Sequence, residues 1–208
     1  MLLAKDQVRR PTRGSGLLES YLANRRVAVV EALIPVSTRG GRILDVGCGA
    51  TAHFLSRTQF AEKAGVERNI TSHDIEQAAQ RGITLIRHDL VECHNLPFED
   101  NSCDVVTMMA VIEHVRRNVA VAVASSALRV LRSNGVFIVT TPSKWTDGLL
   151  RVLARTGMVS REEIDEHQEL YTQDSLRQLF EEAGFDRRSI TTGRFELGMN
   201  LWGMAYKC

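Results

Sequence analysis

Short apolar runs alternate with segments of helical periodicity along most of this 208-residue chain. The runs are rich in Val, Ile and Leu with little polar alternation, which is typical of strands buried on both faces of a parallel sheet. They lie at residues 42–46, 64–67, 83–86, 104–109 and 136–140. Between them, helical spacing and capping residues predict helices at 52–57, 71–80 and 119–131. This alternation indicates an α/β protein with a mainly parallel sheet.

The two ends of the chain lie outside this alternation. Residues 1–16 carry four basic side chains among Pro and Gly residues, which predicts a flexible basic tail. Residues 17–33 have apolar side chains near helical spacing, and Pro35 marks the end of the predicted helix. After the fifth strand we predict a helix at 174–183, with Thr172 as its N-cap, and strands at 189–195 and 200–206.

The stretch R-I-L-D-V-G-C-G-A-T at 42–51 joins the first strand to the next segment. Gly47 and Gly49 allow a tight turn and let a ligand approach the main chain closely. Asp45 lies at the carboxyl end of the strand, where open α/β sheets bind their ligands. A carboxylate only accepts hydrogen bonds, so this position suits amine and hydroxyl donors better than a phosphate. The motif therefore predicts a ligand-binding loop at this edge of the sheet.

D-V-G-C-G resembles the first motif of class I S-adenosylmethionine-dependent methyltransferases, whose general pattern is D-x-G-x-G-x-G. In that family the loop wraps the methionine part of the cofactor, which implies contacts from Gly47, Cys48 and Gly49. Asp45 is expected to bind the cofactor as well. Thr51 replaces the third glycine; its hydroxyl would cap the following helix, but a positive φ would strain it. The stretch also fits the dinucleotide fingerprint G-x-G-x-x-A, so an NAD-dependent oxidoreductase is an alternative.

Two further acidic residues follow the next strands. Glu67 comes 22 residues after Asp45, the offset that places an acid beside a ribose, and its neighbour Arg68 is included in the predicted cofactor site. The segment H-D-L-V-E-C-H-N-L-P-F-E-D-N-S-C-D-V-V resembles the family's G-D-x-x-x-L-P-F-x-D-x-S-F-D-V-V. This resemblance implies that Asp89 accepts a hydrogen bond from the adenine amino group and that the Leu90 amide lies near the ring nitrogens.

The fourth strand leads into Met109 and Ala110, which the resemblance places beside the cofactor, and E-H-V follows. His114 is a candidate general base because imidazole titrates near neutrality. Alternatively, Glu113 and His114 brace the next helix near the cofactor. Quinone-type O-methyltransferases of this family can carry an acid three residues before the Glu, which could complete a metal cluster. Ala110 occupies that position, and no other Cys and His spacing matches a closed site, so no metal is predicted.

Residues 143–172 form a long connection with an apolar and a polar side, which predicts a helical lid or an acceptor-binding insert. Its end, E-E-I-D-E-H-Q-E-L-Y-T, resembles an insert-to-helix junction in methyltransferases of bacterial surface-sugar and quinone pathways. His167 is the first candidate for a base that takes the proton of an acceptor hydroxyl, with a solvated surface role as the alternative. Tyr171 either orients the acceptor or packs.

The resemblance covers residues 17–208 and implies one Rossmann-like α/β domain of three layers. Its seven-stranded sheet is expected in the order 3-2-1-4-5-7-6, ending in an antiparallel hairpin with the last strand beside strand five. The N-terminal helix, 17–35, and the insert, 143–172, belong to this domain. Such a hairpin distinguishes the family from dinucleotide-binding dehydrogenases, which usually have a parallel sixth strand.

Composition and charge limit the classes of substrate and the cell compartment that we expect for this protein. The net charge of +1 argues against nucleic acid as the substrate. Four cysteines without paired spacing, no signal peptide and no apolar run of about twenty residues predict a cytoplasmic protein. The apolar insert favours a lipid, quinone, polyketide or glycan acceptor and allows a peripheral membrane contact.

These features predict an enzyme that transfers the methyl group of S-adenosylmethionine to an oxygen or nitrogen of a small molecule, leaving S-adenosylhomocysteine. Such an in-line displacement gains much of its rate from proximity and orientation, so it needs few catalytic side chains. A non-catalytic module that holds the cofactor or a partner protein is an alternative, and Thr51 is its only support.

Overall fold

The computed structural model describes residues 19–144 and 169–208. The helices within these ranges are α1 (Glu19–Leu33), α2 (Ser72–Ala79), α3 (Arg117–Val130) and α4 (Gln173–Glu182). The strands are β1 (Arg42–Val46), β2 (Glu62–Glu67), β3 (Ile83–Arg87), β4 (Cys103–Met109), β5 (Leu131–Pro142), β6 (Ile190–Phe195) and β7 (Asn200–Tyr206). The predicted tail, 1–16, and most of the predicted insert, 143–172, lie outside the described residues.

Within the described ranges, seven strands form one sheet in the order β3-β2-β1-β4-β5-β7-β6. Strands β1 to β5 run parallel, whereas β7 is antiparallel to both β5 and β6. The strand order and the terminal hairpin confirm the predicted fold. They also argue against a dinucleotide-binding dehydrogenase, whose sixth strand would be parallel.

Helices cover both faces of the sheet because the central strands are apolar on both sides. On one face, α3 and α4 contribute buried side chains such as Val123 and Phe180, which pack with Phe137 of β5. On the other face, α1 and α2 contribute Val30 and Ala78. This two-sided packing fixes the ends of the strands, where the candidate site lies.

Helices α2 and α4 each begin after a threonine N-cap, Thr71 and Thr172. Thr71 Oγ1 accepts a hydrogen bond from the Asp74 amide at 3.2 Å, and Asp74 Oδ2 accepts one from the Thr71 amide at 2.8 Å. This reciprocal capping box starts α2. Thr172 and Ser175 form the same arrangement at α4. The predicted N-cap of α4, Thr172, is confirmed.

The helix predicted at 52–57 is wrong, because the chain forms a series of turns there. Ala52 has a φ of 45°, which interrupts helical geometry directly after the glycine loop. The backbone hydrogen bonds of the segment mix three- and four-residue spacings. Buried Phe54 holds it against the sheet by packing. Thr51 therefore caps no helix, and the non-glycine residue with a positive φ is its neighbour Ala52.

The helix before strand five ends earlier than predicted, and the strand begins earlier. α3 ends at Val130 because Leu131 takes an extended conformation, with φ −65° and ψ 141°. Asn134 has a left-handed conformation, with φ 64°, in an irregular part of β5. A backbone hydrogen bond of 2.7 Å from the Asn134 amide to Lys207 O pairs this part with the C-terminal end.

Candidate functional site

Three carboxylates lie along one edge of the sheet. Asp45 is the penultimate residue of β1, Glu67 is the last residue of β2, and Asp89 follows β3 by two residues. The parallel register pairs Asp45 with Gly65 and Glu67 with Arg87, so the three strand ends are level. The carboxyl ends of parallel strands are the usual ligand edge of such a sheet. The structure thus brings together the three acids that the sequence indicated.

Asp45 is a buried carboxylate, with only 2% of its surface exposed. Its Oδ1 accepts a hydrogen bond of 2.7 Å from the Thr107 hydroxyl of the neighbouring strand β4. The pKa of Asp45 is raised to about 7. Burial is the main cause and the charge of Glu67 adds to it, whereas the hydrogen bond from Thr107 lowers the pKa. Burial therefore favours the protonated form of Asp45, whereas a cationic ligand would favour its charged form.

The glycine loop is pinned to the end of β2. The Gly47 and Cys48 amides both donate to Val66 O, at 2.8 and 3.3 Å, and the Gly49 amide donates to Glu67 Oε2 at 3.2 Å. Gly47 and Gly49 have φ values of 73° and 67°, so both use the left-handed freedom of glycine. Burial, with the charges of nearby carboxylates, raises the pKa of the Cys48 thiol, so the loop carries no reactive thiolate at neutral pH.

Glu67 and Asp89 are oriented by main-chain amides. Glu67 Oε1 accepts from the Asn69 amide at 3.0 Å, in addition to the contact of Oε2 with the loop. Asp89 Oδ1 accepts from the Val91 amide at 2.8 Å, which fixes the turn after β3. Leu90 is buried beside this turn, whereas Arg68 is exposed. Both carboxylates keep lone pairs for a ligand, because each oxygen can accept two hydrogen bonds.

The end of β4 closes the site on its other side. After Met109, Ala110 has a φ of 53° and its amide donates to Thr140 O of β5 at 2.9 Å. The turn places Val111 against the glycine loop, since a Cβ at Gly47 would lie 2.5 Å from Val111 Cγ2. This contact was not predicted. It depends on how two separate loops meet, and no local pattern records it.

Glu113 lies in a 3-10 turn, Ile112–His114, and is only 2% exposed. Its Oε2 accepts a hydrogen bond of 3.1 Å from the Thr141 hydroxyl of β5. Burial raises the pKa of Glu113, while the charges of His114 and Arg26 and the Thr141 hydrogen bond lower it. The carboxylate therefore braces the turn after β4 against β5. No sequence pattern indicates Thr107, Thr141 or Arg26, because their roles depend on strand register and helix packing.

Of the two predicted bases, His114 lies in the described part of the chain and His167 does not. His114 is half-buried in the turn after β4, and its amide donates to Val111 O at 3.0 Å. His167 lies outside the described residues. Tyr171 is 2% exposed and belongs to the core, which favours its packing role. Among residues 19–144 and 169–208, no group of three or more His, Cys, Asp or Glu is placed to hold a metal ion.

No helix in the described part of the chain has the length and apolar character to cross a membrane.

Comparison with known proteins agrees with this geometry. A sequence family described as a methyltransferase domain matches residues 18–190. The ubiquinone/menaquinone biosynthesis C-methyltransferase of Idiomarina loihiensis is 27% identical over 176 residues, covering 72% of this chain and 68% of that protein. A probable S-adenosylmethionine-dependent methyltransferase of Mycolicibacterium smegmatis is 33% identical over 140 residues, covering 63% of this chain and 49% of that protein.

A solved structure shares the fold. It is a methyltransferase of Thermotoga maritima described as a possible histamine N-methyltransferase, with a TM-score of 0.69 and 19% sequence identity over 92% of each chain. The family match extends over most of the chain, and the sheet order and glycine loop are those expected of that family. The protein belongs to the class I S-adenosylmethionine-dependent methyltransferases.

Proposed function

We propose that this methyltransferase transfers the methyl group of S-adenosylmethionine to an oxygen or nitrogen atom of a small-molecule acceptor. The observation that carries the proposal is the row formed by Asp45, Glu67 and Asp89 at three level strand ends. A row of acceptor-only groups suits a ligand with an ammonium, two hydroxyls and an amino group along its length. The family match supports methyl transfer, and the hydrogen-bond donors of S-adenosylmethionine fit these three carboxylates.

Each carboxylate is assigned one part of the cofactor. Asp45, beside the glycine loop, is proposed to face the ammonium of the methionine part. Glu67 is proposed to accept hydrogen bonds from the ribose hydroxyls, and Asp89 from the adenine amino group. The Leu90 amide would lie near the adenine ring. Gly47, Cys48, Gly49, Met109 and Ala110 would border the methionine part, with Arg68 at the outer rim.

The bound cofactor supplies an electrophilic methyl group on a sulfonium. The chain's own contribution is to hold the acceptor in line with that group, because orientation provides much of the rate of such a displacement. A hydroxyl acceptor must also lose its proton, and His114 and His167 are the proposed bases for that step. A neutral amine attacks through its lone pair and needs no base beforehand.

The acceptor is proposed to be a small molecule because the net charge of +1 offers no general attraction for nucleic acid. The relatives' names include both a C-methyltransferase and a possible N-methyltransferase, so they favour no single acceptor atom. Oxygen and nitrogen are preferred here because their lone pairs attack directly, whereas a carbon must first be activated as a nucleophile. A cytoplasmic location is proposed because all four cysteines are free thiols.

The non-catalytic alternative loses its support. It rested on strain at Thr51, yet Thr51 has no positive φ; the loop residues with a positive φ are Gly47, Gly49 and Ala52. An NAD-dependent oxidoreductase is disfavoured by the antiparallel β7.

Calorimetric titration tests the proposed cofactor site. S-adenosylmethionine, S-adenosylhomocysteine and NAD are titrated into wild type, Asp45→Ala, Glu67→Gln and the exposed-surface control Glu76→Gln. We expect the two adenosyl compounds to bind wild type and the control equally, with at least tenfold weaker binding to the two site variants. Folded wild-type protein that binds neither adenosyl compound, or binds NAD as tightly, would refute the assignment. Release of S-adenosylhomocysteine with a panel of hydroxyl and amine acceptors then tests the transfer itself.

A further inference from the structure

The turn between β6 and β7 carries backbone strain that its packing does not explain. Glu196 and Leu197 have φ values of 53° and 56°, and Gly198 has 83°, so two consecutive residues with side chains are left-handed. Each such residue costs free energy relative to an ordinary turn. Leu197 is 96% exposed and gains no burial in return. Strain of this kind is concentrated at functional sites, which makes this turn a candidate.

The turn lies at the ligand edge of the sheet. Because β7 is antiparallel, its first residue, Asn200, pairs with Pro142 at the carboxyl end of β5. The backbone bond from the Ser143 amide to Met199 O, at 2.8 Å, holds the turn beside that strand end. Glu113 reaches the same strand end from the turn after β4 through Thr141. Two loops distant in sequence therefore place one glutamate each beside the end of β5.

Only one oxygen of the Glu196 carboxylate has a hydrogen-bond partner among the described residues. Its Oε2 accepts a hydrogen bond from Asn200 Nδ2. Its Oε1 is buried and has no hydrogen-bond partner among the described residues. A buried carboxylate oxygen without a donor is costly, and a ligand that supplies a donor would repay that cost.

The N-terminal helix contributes the nearby positive charges. Burial raises the pKa of Glu196, while the Asn200 hydrogen bond and the charges of Arg26 and Arg25 lower it. The charge of Arg26 also lowers the pKa of Glu113. The pKa of each glutamate nevertheless remains above its ordinary value, because the arginine charges do not offset burial. Glu196 Oε1 therefore remains without a hydrogen-bond donor among the described residues.

We propose that Glu196 and Glu113 recognise the methyl acceptor. We further propose that this acceptor carries an amino group whose N–H groups donate hydrogen bonds to Glu196. This inference rests on the proposed function, since it concerns the acceptor of that same methyl transfer. Exposed Leu197, held outward by the strained turn, contacts the acceptor's carbon skeleton.

Matched probes test the inference without knowledge of the natural acceptor. Tyramine and phenethylamine are compared with their carboxylate counterparts, 3-(4-hydroxyphenyl)propanoate and 3-phenylpropanoate, by titration into full-length protein saturated with S-adenosylhomocysteine. We expect each amine to bind wild type at least tenfold more tightly than its carboxylate. In Glu196→Gln the preference should fall to within twofold, Glu196→Asp should restore part of it, and the control Glu76→Gln should keep it.

Several outcomes would overturn the inference. They are equal or tighter binding of the carboxylates, no binding of either amine by wild type, and an amine preference that survives in Glu196→Gln. The affinity for S-adenosylhomocysteine, measured first in every variant, separates this failure from a failure of the cofactor site. A Glu196→Gln protein that binds S-adenosylhomocysteine within twofold of wild type is folded, so its loss of amine preference reports on the acceptor.

Discussion

Replacing Asp45 by Asn is expected to make the ligand-free protein more stable while weakening its hold on the cofactor. Burial raises the pKa of this carboxyl from 3.8 to about 7 in the folded protein. Between these two values the folded state keeps a proton that the unfolded state has released. The stability contributed by the protonated form is therefore present below about pH 4 and is lost as pH rises through 7.

The magnitude follows from the size of the shift. About three pKa units at about 1.4 kcal/mol each make the ionised Asp45 cost about 4 kcal/mol at pH 8. At pH 5 the cost is smaller, because the folded carboxyl is still protonated there. The Asn variant should therefore gain roughly 2–3 kcal/mol more at pH 8 than at pH 5. The amide oxygen of Asn still accepts the hydrogen bond from Thr107, so the Thr107 hydroxyl keeps its partner.

Chemical denaturation at pH 5 and pH 8 measures this difference, with Glu76→Gln as the control that should show none. The midpoint temperature of thermal unfolding of the Asn variant at pH 8 should be higher than that of wild type by roughly 10 °C. In a chain of this size, about 1 kcal/mol of stability shifts the midpoint by a few degrees. The same variant should bind S-adenosylmethionine at least tenfold more weakly, because a neutral amide attracts an ammonium less than a carboxylate does. An Asn variant no more stable than wild type at pH 8, or equally stabilised at both pH values, would refute the reasoning.

Three further changes test other contacts of the site. Thr107→Val removes the hydrogen bond to Asp45, so the pH at which S-adenosylmethionine binding is half-maximal should rise by about one unit or more; an unchanged midpoint would contradict this. Gly65→Ala should destabilise the protein by about 1–3 kcal/mol in denaturant, because its Cβ would lie 2.5 Å from the loop cysteine sulfur, whereas Gly40→Ala, with no atom within 4 Å, should be neutral. Leu197→Gly should stabilise the protein by about 1 kcal/mol by relieving the left-handed strain, yet weaken tyramine binding; a loss of stability would mean that the side chain packs.

Much of the fold could be predicted because most strands are marked by a short apolar run of their own. β1 has the predicted bounds, Arg42–Val46, since glycines flank an apolar run on both sides. The segment 52–57 could not be predicted, because the positive φ of Ala52 depends on how the glycine loop is pinned to β2. The early start of β5 depends likewise on pairing with the distant C-terminal end.

The same division holds for the candidate site. Asp45, Glu67 and Asp89 could be selected from the sequence because each follows from a strand end, and parallel strands bring their carboxyl ends together. Thr107 and Val111 could not, since their contacts depend on register and on the meeting of two loops. The β6–β7 turn is a stronger case, because nothing in E-L-G indicates two consecutive left-handed residues.

The buried acids explain why stability and binding oppose each other in this protein. Asp45 and Glu113 are almost fully buried, and their own-chain partners include the hydroxyls of Thr107 and Thr141. A hydroxyl donates one hydrogen bond and carries no net charge, so it only partly offsets the cost of burying a carboxylate. A cationic ligand that reaches such a group regains part of that cost in binding, and ligand binding then adds to the stability of the fold. The positions that most weaken the free protein are therefore the positions we expect to contribute most to holding cofactor and acceptor.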